Sequence, residues 1–400
     1  MKYEEVTALR KAFNSVKMRQ IQNPPQGFSD KKKRLKAARE LSVGNEKLLN
    51  QVVDNLKKNG IKVHLVREKQ EAIDIILGEI GEERLIVKSK SNVTKEIELT
   101  GSLEKKGITV VETDIGDRIL QILKAKPSHP TGPVAHLSAK EIAKNLSTYY
   151  NIPVKEDPEE IVKIVRDDVI SNLNRAGIGI TGANAITAEE GSIVMTHNEG
   201  NIYEVMRMKK HIVVTSIDKI YPDIESAMTM LKILSFNATG SIIPSFVEII
   251  SGVSKTADIE KKFIKGVHNP SDIILILIDN KRSELVKNGF KELLHCIGCG
   301  NCLLFCPIYN TIGNEFARDN NLGGKGIAYY SLCNNEKDER LEFCLTCGRC
   351  KQNCPLELDI PAMIKKIRNN GVSSEAYYFL KSHMIWVYYQ ALLRLKTGND

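Results

Sequence analysis

Cys296-Ile-Gly-Cys299-Gly-Asn-Cys302-Leu-Leu-Phe-Cys306-Pro307 carries four cysteines at the spacing C-x2-C-x2-C-x3-C, followed at once by proline. The pattern returns as Cys344-Leu-Thr-Cys347-Gly-Arg-Cys350-Lys-Gln-Asn-Cys354-Pro355. The first three thiolates of such a run can wrap one face of an iron–sulfur cubane, with Gly298, Gly300 and Gly348 letting the backbone approach the sulfides. The fourth points away and, in two-cluster ferredoxins, ligates the other cluster. The spacing therefore predicts two 4Fe–4S clusters, one on Cys296, Cys299, Cys302 and Cys354, the other on Cys344, Cys347, Cys350 and Cys306. A zinc ribbon needs only two CxxC pairs and leaves the remaining cysteines and both prolines without a purpose.

All nine cysteines lie between Cys296 and Cys354, in a chain whose first 295 residues have none. A disulfide framework accounts poorly for that placement. Cys333 fits neither run and reads as incidental. The 37 residues between Cys306 and Cys344 exceed a minimal ferredoxin hairpin, which predicts a helical dicluster module. Residues 281–293 read as a helix delivering the chain to Cys296, and no convincing strand follows. Asp359 and Pro361 read as a helix start and Asn370-Gly371 as its stop. The tail from Ser373 to Leu395, with Trp386 among Tyr377, Tyr378, Phe379, Tyr388 and Tyr389, reads as a further helix. It is expected to dock on this chain or a partner, with contact to a membrane surface as the alternative.

Upstream the character is different. Leu85-Ile86-Val87, Ile108 to Val111, Ile178 to Thr181, Ile193 to Met195, Ile212 to Thr215 and Ile273 to Ile278 are short β-branched runs. Several lack polar alternation, as expected of strands covered on both faces. Helical patterns such as Glu46 to Lys58 and Glu160 to Arg175 lie between them, so the fold class is α/β with a largely parallel sheet. Asn-Pro-Pro-Gln-Gly at Asn23 to Gly27 is a break, which makes Met1 to Gln22 a separate leading helix.

Within this region the most informative stretch runs Gly179-Ile-Thr181-Gly182-Ala-Asn184 to Glu189-Glu190-Gly191-Ser192, then His197-Asn198-Glu199-Gly200-Asn201. Thr-Gly-Ala-Asn puts a tight turn at the carboxyl end of a strand, where open α/β sheets bind ligands. Thr181, Gly182, Asn184, Gly191, Ser192, Asn198 and Gly200 are thus a candidate ligand loop, joined by Lys88 and Ser89 after an earlier strand. Glu190 and Glu199 are the candidate acid or base groups. The same residues read equally well as a pair of turns with solvated glutamates. His129 and His136, around the stretch Pro127 to Pro133, read as structural. Gly177 and Gly179 lack the third glycine of a dinucleotide fingerprint.

Four hundred residues allow two domains, and 42% hydrophobic with 26% charged residues is an ordinary globular composition. The net charge of +8 is modest, and Lys31-Lys32-Lys33-Arg34 with Lys36 and Arg39 reads as a solvated helix face. No zinc-finger spacing or aromatic-studded basic strand points to nucleic acid. The polar start from Met1 to Arg10 does not read as a secretory signal, and no apolar run is long enough to span a bilayer, so a cytoplasmic protein is expected.

Together, Leu85-Ile-Val-Lys-Ser-Lys-Ser91, Val111-Glu-Thr-Asp-Ile-Gly-Asp117, Lys126-Pro-Ser-His-Pro130 with His136, Thr181 to Asn184, Ala188 to Ser192, Asn198 to Asn201, Asp218-Lys219 and the two cysteine runs resemble the lactate-utilization (LUD) family, and within it the iron–sulfur subunit type. The resemblance spans roughly residues 20–370. It implies a NagB/RpiA/CoA-transferase-like LUD domain over 1–283, a mostly helical ferredoxin domain over 284–371 and a C-terminal helix over 372–400. It also implies an electron-transfer role in L-lactate oxidation, with a cysteine-rich-domain subunit and a second LUD subunit as partners. A general iron–sulfur carrier for another redox complex, and a catalytic LUD domain served by the clusters, are the alternatives. The chain departs from the usual family pattern at Glu189-Glu190-Gly191 and around Ala238-Thr239-Gly240.

Overall fold

The computed structural model describes residues 1–369, so the expected helix at 373–395, Trp386 and the Asn370-Gly371 stop lie outside the described residues. In chain order the strands are β1 (Lys62–Val66), β2 (Leu85–Lys88), β3 (Thr109–Glu112), β4 (Ile178–Thr181), β5 (Ala185–Thr187), β6 (Ser192–His197), β7 (Lys210–Ser216), β8 (Ile220–Tyr221), β9 (Phe246–Ile250), β10 (Lys255–Thr256), β11 (Ile264–Lys265) and β12 (Asp272–Ile278). Six form one sheet in the order β1-β12-β7-β4-β2-β3, with every neighbouring pair parallel.

The apolar runs form this sheet because both faces are covered. Along β12, Ile274, Ile276 and Ile278 pack with Ile73, Ile76 and Leu103 on one side. Ile273, Leu275 and Leu277 pack with Val52 and Leu56 on the other. The two-residue side-chain period of a strand thus feeds two separate apolar layers. Helix Glu46–Lys58 starts where Asn45 accepts the Leu48 N–H, and helix Pro158–Leu173 starts at an Asp157 cap with proline in its first turn. That cap places the second helix two residues earlier than its apolar pattern alone predicts.

Four expectations need correction. Ile193 to Met195 lies in β6 of a second, four-stranded sheet (β8-β5-β6-β9), where it pairs antiparallel with β5 and β9. Buried on both sides, it has the same sequence signature as a parallel strand. The helix expected at 281–293 breaks: Arg282–Lys287 is helical, Gly289 takes φ 76°, and Lys291–His295 forms a 3-10 turn. Ala317–Arg318 and Asn321–Leu322 form a two-residue hairpin inside the cysteine-rich region. Arg39 is not on a solvated face. It is fully buried, donates from Nη2 to the Leu294 carbonyl (2.5 Å), and lies over the Tyr221 ring.

The winding of the main sheet reverses between β2 and β4. From β2 the chain moves outward to β3, then returns to β4 on the other flank of β2, and β7 and β12 continue away. The cysteine-rich region does not stand apart from these elements. One apolar cluster joins Leu9 and Phe13 of helix Tyr3–Gln22, Leu35, and Leu231 of helix Ile224–Thr239 to Leu294, Leu303, Tyr309 and Ile364.

Candidate functional site

The two cysteine runs fold alike. Each follows a 3-10 turn (Lys291–His295 or Glu339–Phe343), passes through two left-handed residues, and enters a short helix carrying the third cysteine. The left-handed residues are Gly298 (φ 75°) and Gly300 (φ 73°) in the first run, and Thr346 (φ 52°) and Gly348 (φ 78°) in the second. The repeat is therefore one of backbone path as well as spacing.

The thiols sort into two neighbourhoods. Burial pushes the Cys302 thiol well up, and the thiols of Cys296, Cys299 and Cys354 add to that, with Cys350 of the other group a smaller contributor from the adjoining side. Burial takes Cys306 up to about 11, with Cys344 and Cys347 contributing. Cys350 rises to about 12 for the same reason beside Cys344, Cys306 and Cys347. The fourth cysteine of each run thus sits with the other run's first three. Such thiols resist ionisation until positive charge is placed among them, which the iron of a cluster supplies, so the donor set fits two 4Fe–4S groups. Among the described residues no three His, Cys, Asp or Glu side chains close on one ion-sized point, and a cubane, held at its corners, asks for none. The neighbourhoods differ in exposure: Cys299 is 7% exposed, whereas Cys347 is open to solvent. Cys333 belongs to neither, beside Tyr329 and Glu96, with its thiol raised to about 11 by burial.

The first cysteine loop is seated on the carboxyl end of the parallel sheet. A cavity beside Cys296, Gly298, Gly300 and Cys302 is closed by residues following β2 (Asn92 to Glu96), β7 (Asp218, Lys219) and β12 (Arg282). His129 packs against this loop. Its Nδ1 accepts the N–H groups of Thr131 and Gly132, which places the ring proton on Nε2. Nε2 is buried facing the Gly300 backbone, its one nearby partner, in a contact short of a well-formed hydrogen bond, and burial lowers the imidazole to about 4. Tyr309 fixes the Pro-rich stretch by donating its hydroxyl to the Ser128 carbonyl (2.8 Å). Arg282 bridges the halves of the chain, bonding Glu96 (2.8 Å) and Asp218, while the Tyr329 hydroxyl donates to Glu96 (3.0 Å).

On the other side of Gly298 lies a cleft of about 260 Å³. Its floor is the exits of β2 (Lys90, Ser91, Asn92) and β4 (Gly182, Ala183, Asn184), and one wall is Ile297-Gly298. Lys90 Nζ pairs with Asp114 (2.6 Å), which also caps helix Ile115–Leu123. Glu199, exposed at the mouth of the cleft, accepts the Ile115 N–H (3.0 Å), and partial desolvation with the Asp114 charge raises it to about 7. Asn184 accepts the Thr196 N–H (2.9 Å) through Oδ1.

Of the residues singled out in the sequence, Gly182, Asn184, Asn198 and Glu199 line this cleft. The others face elsewhere. Lys88 is buried in an ion pair with Glu112 (2.9 Å) and Thr181 bonds His211 (2.7 Å). Ser89 is buried with an unpartnered hydroxyl, and Gly200 precedes helix Asn201–Met206. Gly191 and Ser192 turn against Asn55, Asn59 and Ser251 at the far end of β6. Glu190 accepts the Ile224 N–H there (3.1 Å), so β6 separates it from Glu199 and the two cannot act on one ligand. Lys90, with Lys88 a candidate anion partner in the sequence, does line the cleft; Asp114, His197 and Lys219 lie in the quoted sequence stretches but have no role assigned there.

Comparisons place these features among known proteins. Residues 49–278 match the LUD domain model and residues 292–358 the 4Fe-4S dicluster domain model. The chain is 33% identical over 271 residues to "Lactate utilization protein B" of Lysinibacillus sphaericus, covering 67% of this chain and 55% of that protein. To the protein of the same name from Bacillus cytotoxicus it is 32% identical over 270 residues, again 67% and 55%. The match thus spans about 55% of the length of these curated relatives. A crystal structure of a DUF162 family protein from Deinococcus radiodurans aligns with 58% of this chain and 97% of its own, at TM-score 0.31 and 14% identity.

Proposed function

Because the chain belongs to the LUD family and carries a 4Fe-4S dicluster domain, we propose that it is the electron-transfer subunit of an assembly that oxidises L-lactate or a close 2-hydroxy acid. The observation that carries this reading is that Cys306 of the first run lines one hollow with Cys344, Cys347 and Cys350 of the second, while Cys299 is buried and Cys347 reaches solvent. When bound, two 4Fe–4S groups supply single-electron transfer. The residues do the rest. The crossed cysteines hold the two sites at neighbouring positions, Leu303, Tyr309 and Phe316 exclude water around them, and the exposed loop at Leu345 to Cys347 offers a partner a close approach.

Oxidation of a 2-hydroxy acid to a 2-oxo acid releases two electrons and two protons, and a partner subunit carries out that step in this reading. The proposed partners are a cysteine-rich-domain subunit and a second LUD subunit, in the cytoplasm. Among the described residues no helix is long and apolar enough to cross a membrane. The test is anaerobic isolation with co-purifying subunits, followed by addition of L-lactate while the visible absorbance and EPR signal are recorded. Bleaching with appearance of reduced-cluster signals is the expected result. Clusters that dithionite reduces and L-lactate leaves oxidised, with all partners present, would overturn the substrate.

A further inference from the structure

The cleft beside Gly298 is not accounted for by cluster ligation. It lies where the winding of the sheet reverses, between β2, whose connection runs outward, and β4, whose connection runs inward. At such a switch point the two exit loops part and leave a crevice outside the strand ends, the usual ligand position in open α/β sheets. The side chains there divide into committed and uncommitted groups. Lys90 and Asp114 neutralise each other. His197 is engaged by Glu248 (3.4 Å) and stacked on Phe246. Lys219, which lines both this cleft and the cavity beside Cys296, has among the described residues only Asp218 within 4 Å as an ion partner, at 3.9 Å. Asp218 is already held by Arg282 and Ser216. Asn184 uses Oδ1 internally and presents its amide N–H2, and Glu199 uses one oxygen and presents the other.

Lys219, the amide N–H2 groups of Asn184, Asn198 and Asn92, and the Glu199 carboxyl group therefore remain to meet a ligand, Asn184 from the floor of the cleft, in a space of about 260 Å³, below the ~300 Å³ at which drug-sized pockets begin. We propose that this cleft binds a small carboxylate carrying a second oxygen on the adjacent carbon, its carboxylate on Lys219 and Asn184 and its second oxygen facing Glu199. The ligand rests against Ile297-Gly298, within the loop between Cys296 and Cys299. The assignment deepens the reading above by giving this subunit a binding site of its own, and it concerns binding only.

The test is equilibrium dialysis of the full chain, isolated anaerobically with its iron, against labelled L-lactate, pyruvate, propionate and 1,2-propanediol. L-lactate or pyruvate is expected to bind, propionate about tenfold more weakly, and the diol not at all. Lys219→Met and Asn184→Ala are each expected to weaken binding roughly 10- to 100-fold, the range for one hydrogen bond to a charged group. Asn184, on the floor of the cleft and outside the cysteine runs, keeps the test valid if Lys219→Met loses iron. A chain with its full iron that binds none of the four overturns the site, as does unchanged binding in both variants. Iron content and the dithionite-reducible signal are read on the same samples. Loss of these overturns the electron-transfer reading and is distinguishable from loss of ligand.

Discussion

A Cβ placed on Gly182 would lie 2.6 Å from Ser91 Oγ, so the exits of β4 and β2 meet at a distance only glycine allows. Ser91 cannot yield freely, because its hydroxyl accepts the Thr94 N–H and starts helix Asn92–Glu96. Gly182→Ala is expected to cost about 1–3 kcal/mol, the usual penalty of overpacking. The denaturation midpoint measures it. Gly101→Ala is the control, since its Cβ would meet nothing within 4 Å.

Crossed ligation has an arithmetic consequence. Cys306→Ser is expected to remove the cluster held by Cys344, Cys347 and Cys350, although Cys306 belongs to the first run. Iron content should fall from about eight to about four atoms per chain in Cys306→Ser and in Cys302→Ser, and stay at about eight in Cys333→Ser. EPR of the reduced variants checks the assignment. Cys302→Ser and Cys306→Ser, though in one run, should retain different clusters. Identical residual spectra from the two would sink the crossed arrangement.

Arg282 is buried between Glu96 and Asp218. Its charge holds Asp218 far below the usual carboxylate range and Glu96 below its own, against the opposing effect of burial. Arg282→Met leaves two carboxylates in the interior and is expected to destabilise by about 3–5 kcal/mol, as when one partner of a buried pair is removed. Arg282→Lys is expected to recover little, because a single ammonium cannot replace a guanidinium that bonds both acids. Thermal unfolding of the two variants separates these outcomes.

His211 in β7 is fully buried, and burial lowers it to about 3, with Thr181 as its side-chain partner. The unfolded chain binds the proton near pH 6.5 and the folded chain does not, so stability is full above that pH and falls as pH drops toward the folded value. The slope is about 1.4 kcal/mol per pH unit for one such group. His211→Asn is expected to flatten the decline between pH 6.5 and 4.5. Parallel midpoint-versus-pH curves for variant and wild type would rule out this residue as the source.

The buried Nε2 proton of His129 against the first cysteine loop gives a spectroscopic expectation. His129→Leu should retain its iron but shift the potential of one cluster to more negative values, because a donor near the loop favours the reduced, more negative state. The other cluster serves as internal reference in an EPR-monitored titration, and an unshifted pair would dismiss the role.

Local pattern determined much of this protein. The cysteine spacing predicts the donors and their cross-over, because the chain geometry of C-x2-C-x2-C-x3-C fits only three thiols to one face. The β-branched runs named five of the six strands of the main sheet; β1 escaped because, as an edge strand, it has little continuous apolar character. What the chain could not disclose locally was placement. Glu190 and Glu199 look equivalent in sequence, yet six residues of β6 carry them to opposite ends of a strand. Arg39 looks like its lysine neighbours until the chain before Cys296 folds over it. The cleft exists only because β4 returns beside β2, bringing Asn184, Glu199, Lys219 and Gly298 together across long stretches of chain. Spacing is a property of neighbours along the chain, whereas a site at a sheet's reversal is a property of the order in which strands pair, and that order is settled by packing the whole domain at once.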